Sequence, residues 1–241
     1  MALPALRALA HLDVSENDLS QHGVQRLAAH LRTAPALTTL NLPNIVRAYY
    51  THSLPDGLGK CTGLTALRLN YNKIKDDTLA HYARSLQRCR LVLLDLRGND
   101  ISDAGARVLA HALPHYTALA ELLLPYNHIG FAGAAALLDS SAACPALARI
   151  DLSHCALGRM RLARLHPARN RFMLRHPLPA ADGFDALLAA AGQCTALRSL
   201  NLACNHMSEP ESLGIRSAWG AQRTGLTLLE GPHSATPRFQ I

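Results

Sequence analysis

The sequence repeats itself with a period of 27–28 residues over most of its length. Each copy carries the pattern Leu-x-x-Leu-x-Leu-x-x-Asn-x-Leu or a variant of it. Clear copies begin at Leu9, Leu64, Leu91 and Leu119, weaker ones at Leu37, Leu147 and Leu197, and a truncated one at Leu226. A fixed period of this length is typical of a solenoid, in which every repeat packs only against its two neighbours.

Within each copy, the first three leucines alternate with a period of two, which predicts a short strand whose leucines point to one side. The rest of a copy is predicted to be helical, as in residues 101–113, where apolar side chains follow a Ser or Asp cap at helical spacing. No copy buries its apolar face alone, so parallel strands and outer helices must stack. We therefore expect an α/β solenoid of about seven to eight units over residues 1–230 and a flexible tail at 231–241.

The asparagine of each motif is expected to turn inward and to bond backbone groups of neighbouring units, because an amide offers both donors and an acceptor. The predicted ladder consists of Asn17, Asn72, Asn99, Asn127, Cys155 and Asn205. Cys155 replaces asparagine in the sixth copy. In the second copy, Ile45 stands at the ladder position and Arg47 at the next apolar one, which predicts an irregular unit.

The period, the Asn-or-Cys position and a glycine about four residues after the motif (Gly23, Gly105 and Gly133) resemble the ribonuclease-inhibitor class of leucine-rich repeats. The resemblance covers roughly residues 6–230. It implies a right-handed α/β horseshoe whose concave parallel sheet faces a partner. The class includes inhibitors, Ran GTPase-activating proteins, innate-immunity sensor domains and actin-capping proteins, most of them intracellular.

Composition and targeting signals restrict the chain further. The 49% hydrophobic and 17% charged residues are not those of a disordered chain. No apolar run approaches the ~20 residues that cross a bilayer, and no signal peptide is evident. Of the six cysteines, Cys61, Cys144 and Cys194 each precede an opening leucine by three residues, which indicates packing positions for reduced thiols. We expect a cytoplasmic protein without membrane contact.

The formal net charge is +7, and one segment carries most of it. No acidic residue lies between Asp151 and Asp182, whereas six arginines do. These are Arg159, Arg161, Arg164, Arg169, Arg171 and Arg175. Alignment of Gly183 with Gly105 makes residues 159–180 a 22-residue basic insertion between the strand and the helix of the sixth copy.

Three interpretations of this insertion stay open. The first is a segment that binds an acidic protein partner, a phosphate backbone or a membrane surface, since arginine suits phosphate and carboxylate groups. The second is a short amphipathic helix with Met160, Leu162 and Leu165 on one side, and the third, which we favour, is a mobile loop without a dedicated ligand. Phe172 is the segment's one aromatic residue, which disfavours a platform for base stacking.

No motif for catalysis is present. The chain lacks a glycine-rich phosphate loop, a Gly-x-Ser-x-Gly elbow, a His-Glu-x-x-His helix and a Cys-x-x-Cys pair. His111 and His115 are four residues apart, but Pro114 ends the helix between them. Asp76 and Asp77 stand where a helix begins, so helix capping accounts for them. The sequence predicts no enzyme, no cofactor and no metal site.

The candidate binding residues are the variable strand positions, which line the concave sheet. They are Asp13, Glu16, Arg68, Asn70, Tyr71, Asp95, Arg97, Tyr126, Asp151 and His154. Tyr71 and Tyr126 occupy the same repeat position two units apart, with Gly98 expected to leave space between them. Tyrosine and arginine are favoured as interface anchors.

These features predict a non-catalytic intracellular scaffold that binds a protein partner of unknown identity through its concave face. A regulator of a small GTPase, similar to Ran GTPase-activating proteins, is the alternative, although the chain ends in GPHSATPRFQI rather than in an acidic tail. A nucleic-acid partner bound by the arginine-rich insertion is the least favoured hypothesis. The sequence does not indicate an oligomeric state.

Overall fold

Eight short strands alternate with seven helices in the computed structural model, which describes residues 8–17, 19–45, 53–155, 157, 183–220 and 224–228. The strands are β1 (His11–Asp13), β2 (Thr39–Asn41), β3 (Ala66–Arg68), β4 (Leu93–Asp95), β5 (Glu121–Leu123), β6 (Arg149–Asp151), β7 (Ser199–Asn201) and β8 (Leu226–Thr227). The helices are α1 (Gln21–Leu31), α2 (Leu54–Leu58), α3 (Asp76–Ser85), α4 (Asp103–Ala112), α5 (Phe131–Ser141), α6 (Phe184–Gln193) and α7 (Glu209–Trp219). Short 3₁₀ turns, Leu86–Arg88 and Leu113–His115, follow α3 and α4.

All the strands pair in parallel and in sequence order, from β1 to β8, in one open sheet. The register repeats from unit to unit, so that Leu40 lies opposite Leu67, and Leu67 opposite Leu94. These middle strand residues are buried against the helices, as the alternation of leucines requires. This arrangement is the predicted α/β solenoid, and the fold is that of leucine-rich repeats.

The apolar side chains form one continuous core that extends from the first unit to the last. Helices contact the helices of adjacent units, with the closest packing between α4, α5 and α6. Serine caps begin three of them: Ser20 and Ser102 accept backbone N–H bonds, and Ser208 forms a capping box with Glu211. The helices therefore cover one face of the sheet and leave the other to solvent.

The motif asparagines connect successive units through the core. Asn99 accepts backbone N–H bonds from Asn72 at 3.1 Å and Ile74 at 2.9 Å, both in the preceding unit. Its Nδ2 donates to the carbonyls of Leu69 at 3.0 Å and Leu96 at 2.8 Å. Asn72, Asn127 and Asn205 repeat this pattern. The thiol of Cys155 donates to the preceding unit at a single carbonyl, that of Leu124.

Among the described residues, Asn17 makes none of the predicted bonds to a neighbouring unit. Its amide donates to Val14 and Ser15 within its own turn, and the side chain is exposed. Ladder amides bond the unit that precedes them, and no residue of a preceding unit is among those described next to Asn17. In the second unit, Ile45 is buried and its N–H donates to Asn72, while Arg47 lies outside the described residues.

A second, acidic ladder connects the helix starts. Asp76 accepts a hydrogen bond from the backbone N–H of Ser102 in the next unit at 2.9 Å. Asp103 in turn accepts from Gly130 at 2.6 Å and Gly133 at 3.0 Å. Asp76 and Asp77 lie in the first turn of α3, as predicted, but the N-cap position of α3 is Lys75 and has no side-chain cap bond. The Asp76 carboxylate instead accepts the N–H of Ser102, the residue at the N-cap of the next helix.

The glycine of the repeat makes room for these carboxylates. A Cβ built on Gly105 would lie 2.3 Å from Oδ1 of Asp76, and one on Gly133 would lie 2.5 Å from Oδ1 of Asp103. The corresponding distance at Gly23 is 3.6 Å, to Oγ of Ser20 in its own unit. The basic insertion 159–180 and the tail 231–241 lie outside the described residues.

Asn99→Ala is expected to reduce the free energy of unfolding by about 1–3 kcal/mol, because it leaves buried backbone groups without partners. Asn17→Ala removes only exposed bonds within one turn and should cost less than about 0.5 kcal/mol. Urea unfolding followed by circular dichroism measures both. Equal losses for the two variants would contradict the ladder assignment.

Gly105→Ala is expected to destabilise the protein by about 1–3 kcal/mol, because the new methyl group collides with the Asp76 carboxylate. Gly23→Ala makes the same change at the same repeat position without a collision. It should be neutral or stabilising by up to about 1 kcal/mol, since alanine is the better helix former. Thermal melts measure both effects. If both variants had lower melting temperatures than the parent, the collision with Asp76 would not explain the loss at Gly105.

Candidate functional site

The sheet presents one face to solvent, because strand side chains alternate between two sides. In β3, Leu67 is buried, whereas Ala66 and Arg68 on the other side are partly exposed. We call this side the open face. Two rows of side chains cross it. The strand row is Asp13, Asn41, Arg68, Asp95, Leu123, Asp151 and Asn201, and the turn row is Glu16, Asn44, Tyr71, Gly98, Tyr126, His154 and Cys204.

The turn row has the same backbone conformation in every unit. All seven members have φ between 50° and 64°, in the left-handed region. The N–H groups of six of them, from Glu16 to His154, donate across to the next unit, as from Tyr71 to Arg97 at 2.9 Å and from Tyr126 to Ser153 at 3.1 Å. Inter-unit bonds thus hold non-glycine residues in a conformation that they seldom adopt alone. Their side chains consequently project from fixed points.

Tyr71 and Tyr126 are the large aromatic side chains exposed on this face, at 44% and 47%. The ring of Tyr126 stacks on His154, with centroids 4.3 Å apart and planes 9° apart. The ring of Tyr71 covers Gly98, since a Cβ there would lie 2.3 Å from two of its ring carbons. The space at Gly98 is thus filled by Tyr71 rather than left open. These four residues form what we call the aromatic stripe.

The surroundings favour the neutral forms of two residues of the aromatic stripe. Burial lowers the pKa of His154, an effect that the nearby Asp151 carboxylate partly opposes and His206 adds to. Burial raises the pKa of Tyr126, and Tyr71 and Cys204 raise it further. The neutral rings of Tyr126 and His154 offer stacking and apolar contact rather than net charge.

The first three units form a polar network beside the stripe. Asn41 donates to Asp13 at 3.0 Å and accepts from Nη1 of Arg68 at 2.9 Å. Hydrogen bonds from Ser15 and Asn41, with Arg68 nearby, lower the pKa of Asp13 to about 2. Glu16 accepts from Asn44 of the next unit at 3.1 Å in the same manner. Charged groups here are fixed by their neighbours before any partner binds.

Two of the predicted binding residues present little surface. Asp95 and Asp151 are 4% and 7% exposed. Their carboxylates accept backbone N–H bonds from Arg97 at 3.1 Å and Ser153 at 3.0 Å, which ends each strand in a tight turn. Asp95 also accepts from Nε of Arg97 at 3.0 Å. These aspartates shape the open face, and a partner would meet Arg97 above them.

Arg149 is a residue of the open face that sequence reasoning missed. It begins β6 and lies 3.6 Å from Glu121 in β5 and 3.6 Å from Asp151. The sequence alone could have placed Arg149 on this face, because the first residue of a three-residue strand lies on the same side as the third. Asn70, which was predicted, is partly exposed between the two rows.

Other kinds of site find no support in the described part of the chain. Residues 8–17, 19–45, 53–155, 157, 183–220 and 224–228 contain no group of three or more His, Cys, Asp or Glu side chains placed to hold a metal ion. None of the helices among them is long and apolar enough to cross a membrane.

The leucine-rich repeat family matches residues 89–110 of the chain. Mouse (Mus musculus) Tonsoku-like protein is 31% identical over 158 residues, which are 62% of this chain and 12% of that protein. Tonsoku-like protein of cattle (Bos taurus) is 32% identical over 165 residues, 61% of this chain and 11% of that one. Human (Homo sapiens) NACHT, LRR and PYD domains-containing protein 14 is 26% identical over 162 residues, 66% and 14% of the two chains.

The chain is also similar to one chain of a solved structure, the crystal structure of a TLR13–ssRNA13 complex. The TM-score is 0.46 at 14% identity, over 83% of this chain and 26% of the other. The curated relatives are much longer, since this chain spans only 11–14% of their length. The chain has the fold of leucine-rich repeats.

A double-mutant cycle tests the contact between Tyr71 and Gly98. Gly98→Ala should lower the free energy of unfolding by about 1–3 kcal/mol, because the methyl group meets the ring and because φ is positive. Combination with Tyr71→Ala should recover part of that loss, since only the backbone strain then remains. Purely additive losses would show that the ring does not cover Gly98.

Proposed function

We propose that this chain is a non-catalytic scaffold that binds a partner protein through the open face, with the aromatic stripe at the centre of the interface. The observation that carries the proposal is the pair of exposed tyrosines fixed at one repeat position. Leucine-rich repeats commonly serve protein interaction, and the chain's similarity to that family supports the same role here.

Pre-organisation makes these tyrosines effective anchors. A partner that packs against a mobile side chain must first immobilise it, at a cost of about 0.5–1.5 kcal/mol for each rotamer-rich group. Tyr126 already lies on His154 and Tyr71 on Gly98, so most of that ordering has occurred. Burial of two such rings supplies the aromatic centre that is typical of interface hot spots.

The surroundings of the stripe suit a polar rim. Arg97, held by Asp95, and Arg149, beside Glu121, lie on the same face and remain partly exposed. Pro125 and Leu123, which are buried, provide an apolar floor next to Tyr126. An apolar centre with paired charges at its margin favours a folded protein segment over a highly charged polymer.

We also infer that the chain is of the ribonuclease-inhibitor class and works in the cytoplasm. The 27–28 residue period and the Asn-or-Cys ladder support the class. Buried thiols support a reducing compartment, because those of Cys61 and Cys144 donate to carbonyls of the preceding unit at 3.2 Å and 3.0 Å. Such bonds need the reduced S–H, and burial raises the pKa of Cys61 to about 11.

The combined change Tyr71→Ala with Tyr126→Ala should reduce recovery of the partner from a cell lysate at least about tenfold, which corresponds to about 1.4 kcal/mol. Quantitative mass spectrometry of proteins captured on the immobilised chain measures this. Because both side chains are exposed, circular dichroism and the melting temperature should change little.

The matched control is Val92→Ala with Leu213→Ala, which shortens two exposed large apolar side chains outside the stripe. Partners that depend on the stripe should be captured by the control and lost by the tyrosine variant. If both variants capture the same proteins in equal amounts, the open face is not the interface. Identification of a small GTPase among the stripe-dependent partners would favour the alternative of a GTPase regulator.

A further inference from the structure

The parallel stacking of units places all the connections from helix to strand along one edge of the solenoid. Contacts between successive connections show that they lie side by side. The thiol of Cys61 donates to the carbonyl of Leu31 at 3.2 Å, and that of Cys89 to Leu58 at 3.5 Å. A Cβ on Gly59 would lie 3.1 Å from the carbonyl oxygen of Ser85. Residues flanking these contacts in different units are therefore neighbours in space.

Basic side chains are concentrated at this edge in the first three units. We define the basic edge as Arg32, Lys60, Arg84, Arg88 and Arg90, all of them exposed. His115 occupies the corresponding connection of the fourth unit and is exposed as well. Cys61 follows Lys60, while Leu31 precedes Arg32, so the 3.2 Å contact joins the neighbours of these two cations. Cys89 lies between Arg88 and Arg90 and bonds the second unit likewise.

Acidic side chains are scarce beside this group, and the one nearest in sequence is the exposed Asp56 of α2, four residues before Lys60. Residues 30–38, 57–65, 84–92 and 111–120 contain no Asp or Glu. The five cations of the basic edge form no ion pair with any residue in the described part of the chain. Over all described residues, lysines and arginines equal aspartates and glutamates in number. The described residues thus have no formal net charge, but their basic side chains are concentrated at one edge of the solenoid.

Helix dipoles account for only part of this polarisation. Acidic residues at the first turn and basic residues at the last turn each stabilise a helix by about 0.3–1 kcal/mol. However, α5 and α6 have no basic residue in their last turns and form helices of similar length. Arg32, Lys60 and Arg90 lie beyond the last helical residue of their units. The third unit therefore carries more basic residues than stabilisation of its helix end accounts for.

We propose that the basic edge binds the phosphate backbone of a nucleic acid. The exposed cationic groups of three successive units offer several charge-assisted bonds to phosphate oxygens. The edge lacks what a protein interface needs at its centre, because Val92 is its one large exposed apolar side chain among the described residues. It also carries no aromatic side chain exposed for stacking on bases. Binding is thus through the backbone and independent of sequence.

This site is separate from the open face and from the insertion. The open face is one side of the sheet together with the turns that follow the strands, whereas the basic edge consists of the connections that precede the strands. The insertion belongs to the sixth unit, and the basic edge to the first three. Loss of nucleic-acid binding and loss of protein binding are therefore distinguishable outcomes, and either proposal can fail alone.

The test is fluorescence anisotropy of a short labelled single-stranded oligonucleotide and of its duplex, titrated with the full chain over a range of salt concentrations. Replacement of Arg84, Arg88 and Arg90 by glutamine should weaken binding at least about tenfold at low salt. It should also make the slope of log K against log salt less negative by about two to three units, since each phosphate contact contributes about 0.7–0.9.

The matched control, Lys73→Gln, Lys75→Gln and Arg216→Gln, removes the same charge from exposed positions off the basic edge. It should weaken binding by less than about threefold, because it removes no phosphate contact. Equal effects of the two triple variants would overturn the proposal, since net charge alone would then explain binding. Melting temperatures of both variants should match that of the parent.

Two further arms separate the competing sources of binding. In the first arm, the six arginines at 159–175 are replaced by glutamine in the full chain. In this background, replacement of Arg84, Arg88 and Arg90 should still make the slope of log K against log salt less negative. If the six-arginine variant abolishes binding while the edge variant binds normally, the insertion is the site and the proposal is wrong. A poly-glutamate peptide should compete poorly at equal charge. If it competes as well as the oligonucleotide, the edge serves an acidic protein segment instead.

Discussion

The repeat is stable only because each unit completes the hydrogen bonding of its neighbour. The amide of Asn99 bonds the backbone of the unit before it, and the carboxylate of Asp103 bonds the helix start of the unit after it. A single unit would leave these groups without partners and its leucines exposed. The two ladders therefore define the register along the sheet and the helices together, and substitution of one residue affects two units.

This shared register is also what builds the open face. Because the turn-row N–H groups from Glu16 to His154 donate to the next unit, residues at one repeat position are held in line across the sheet. Tyr71 and Tyr126 come together with Gly98 and His154 in this way, although 83 residues separate the first from the last. Constraint by the fold converts a repeat position that tolerates many residue types into an ordered surface.

How much the sequence predicts depends on whether a property repeats. Strand and helix order, the buried leucines and the amide ladder all recur every 27–28 residues and were predictable. The contact of Asp76 with Ser102 was missed, because it joins different repeat positions in successive units. The burial of Asp95 and the placement of the Tyr71 ring were missed for another reason. Both depend on which way one side chain leans within a row, and alternation does not specify that.

Charge shows the same limitation most clearly. Counted along the chain, the charge falls mainly in the insertion, and the solenoid looks neutral. Counted by repeat position, the cations of Arg32, Lys60 and Arg88 share one edge, since parallel units superpose their connections. The net charge depends only on the composition, whereas the distribution of charge over the surface depends on how the units stack. A solenoid can therefore concentrate charge of one sign along one edge without any net charge.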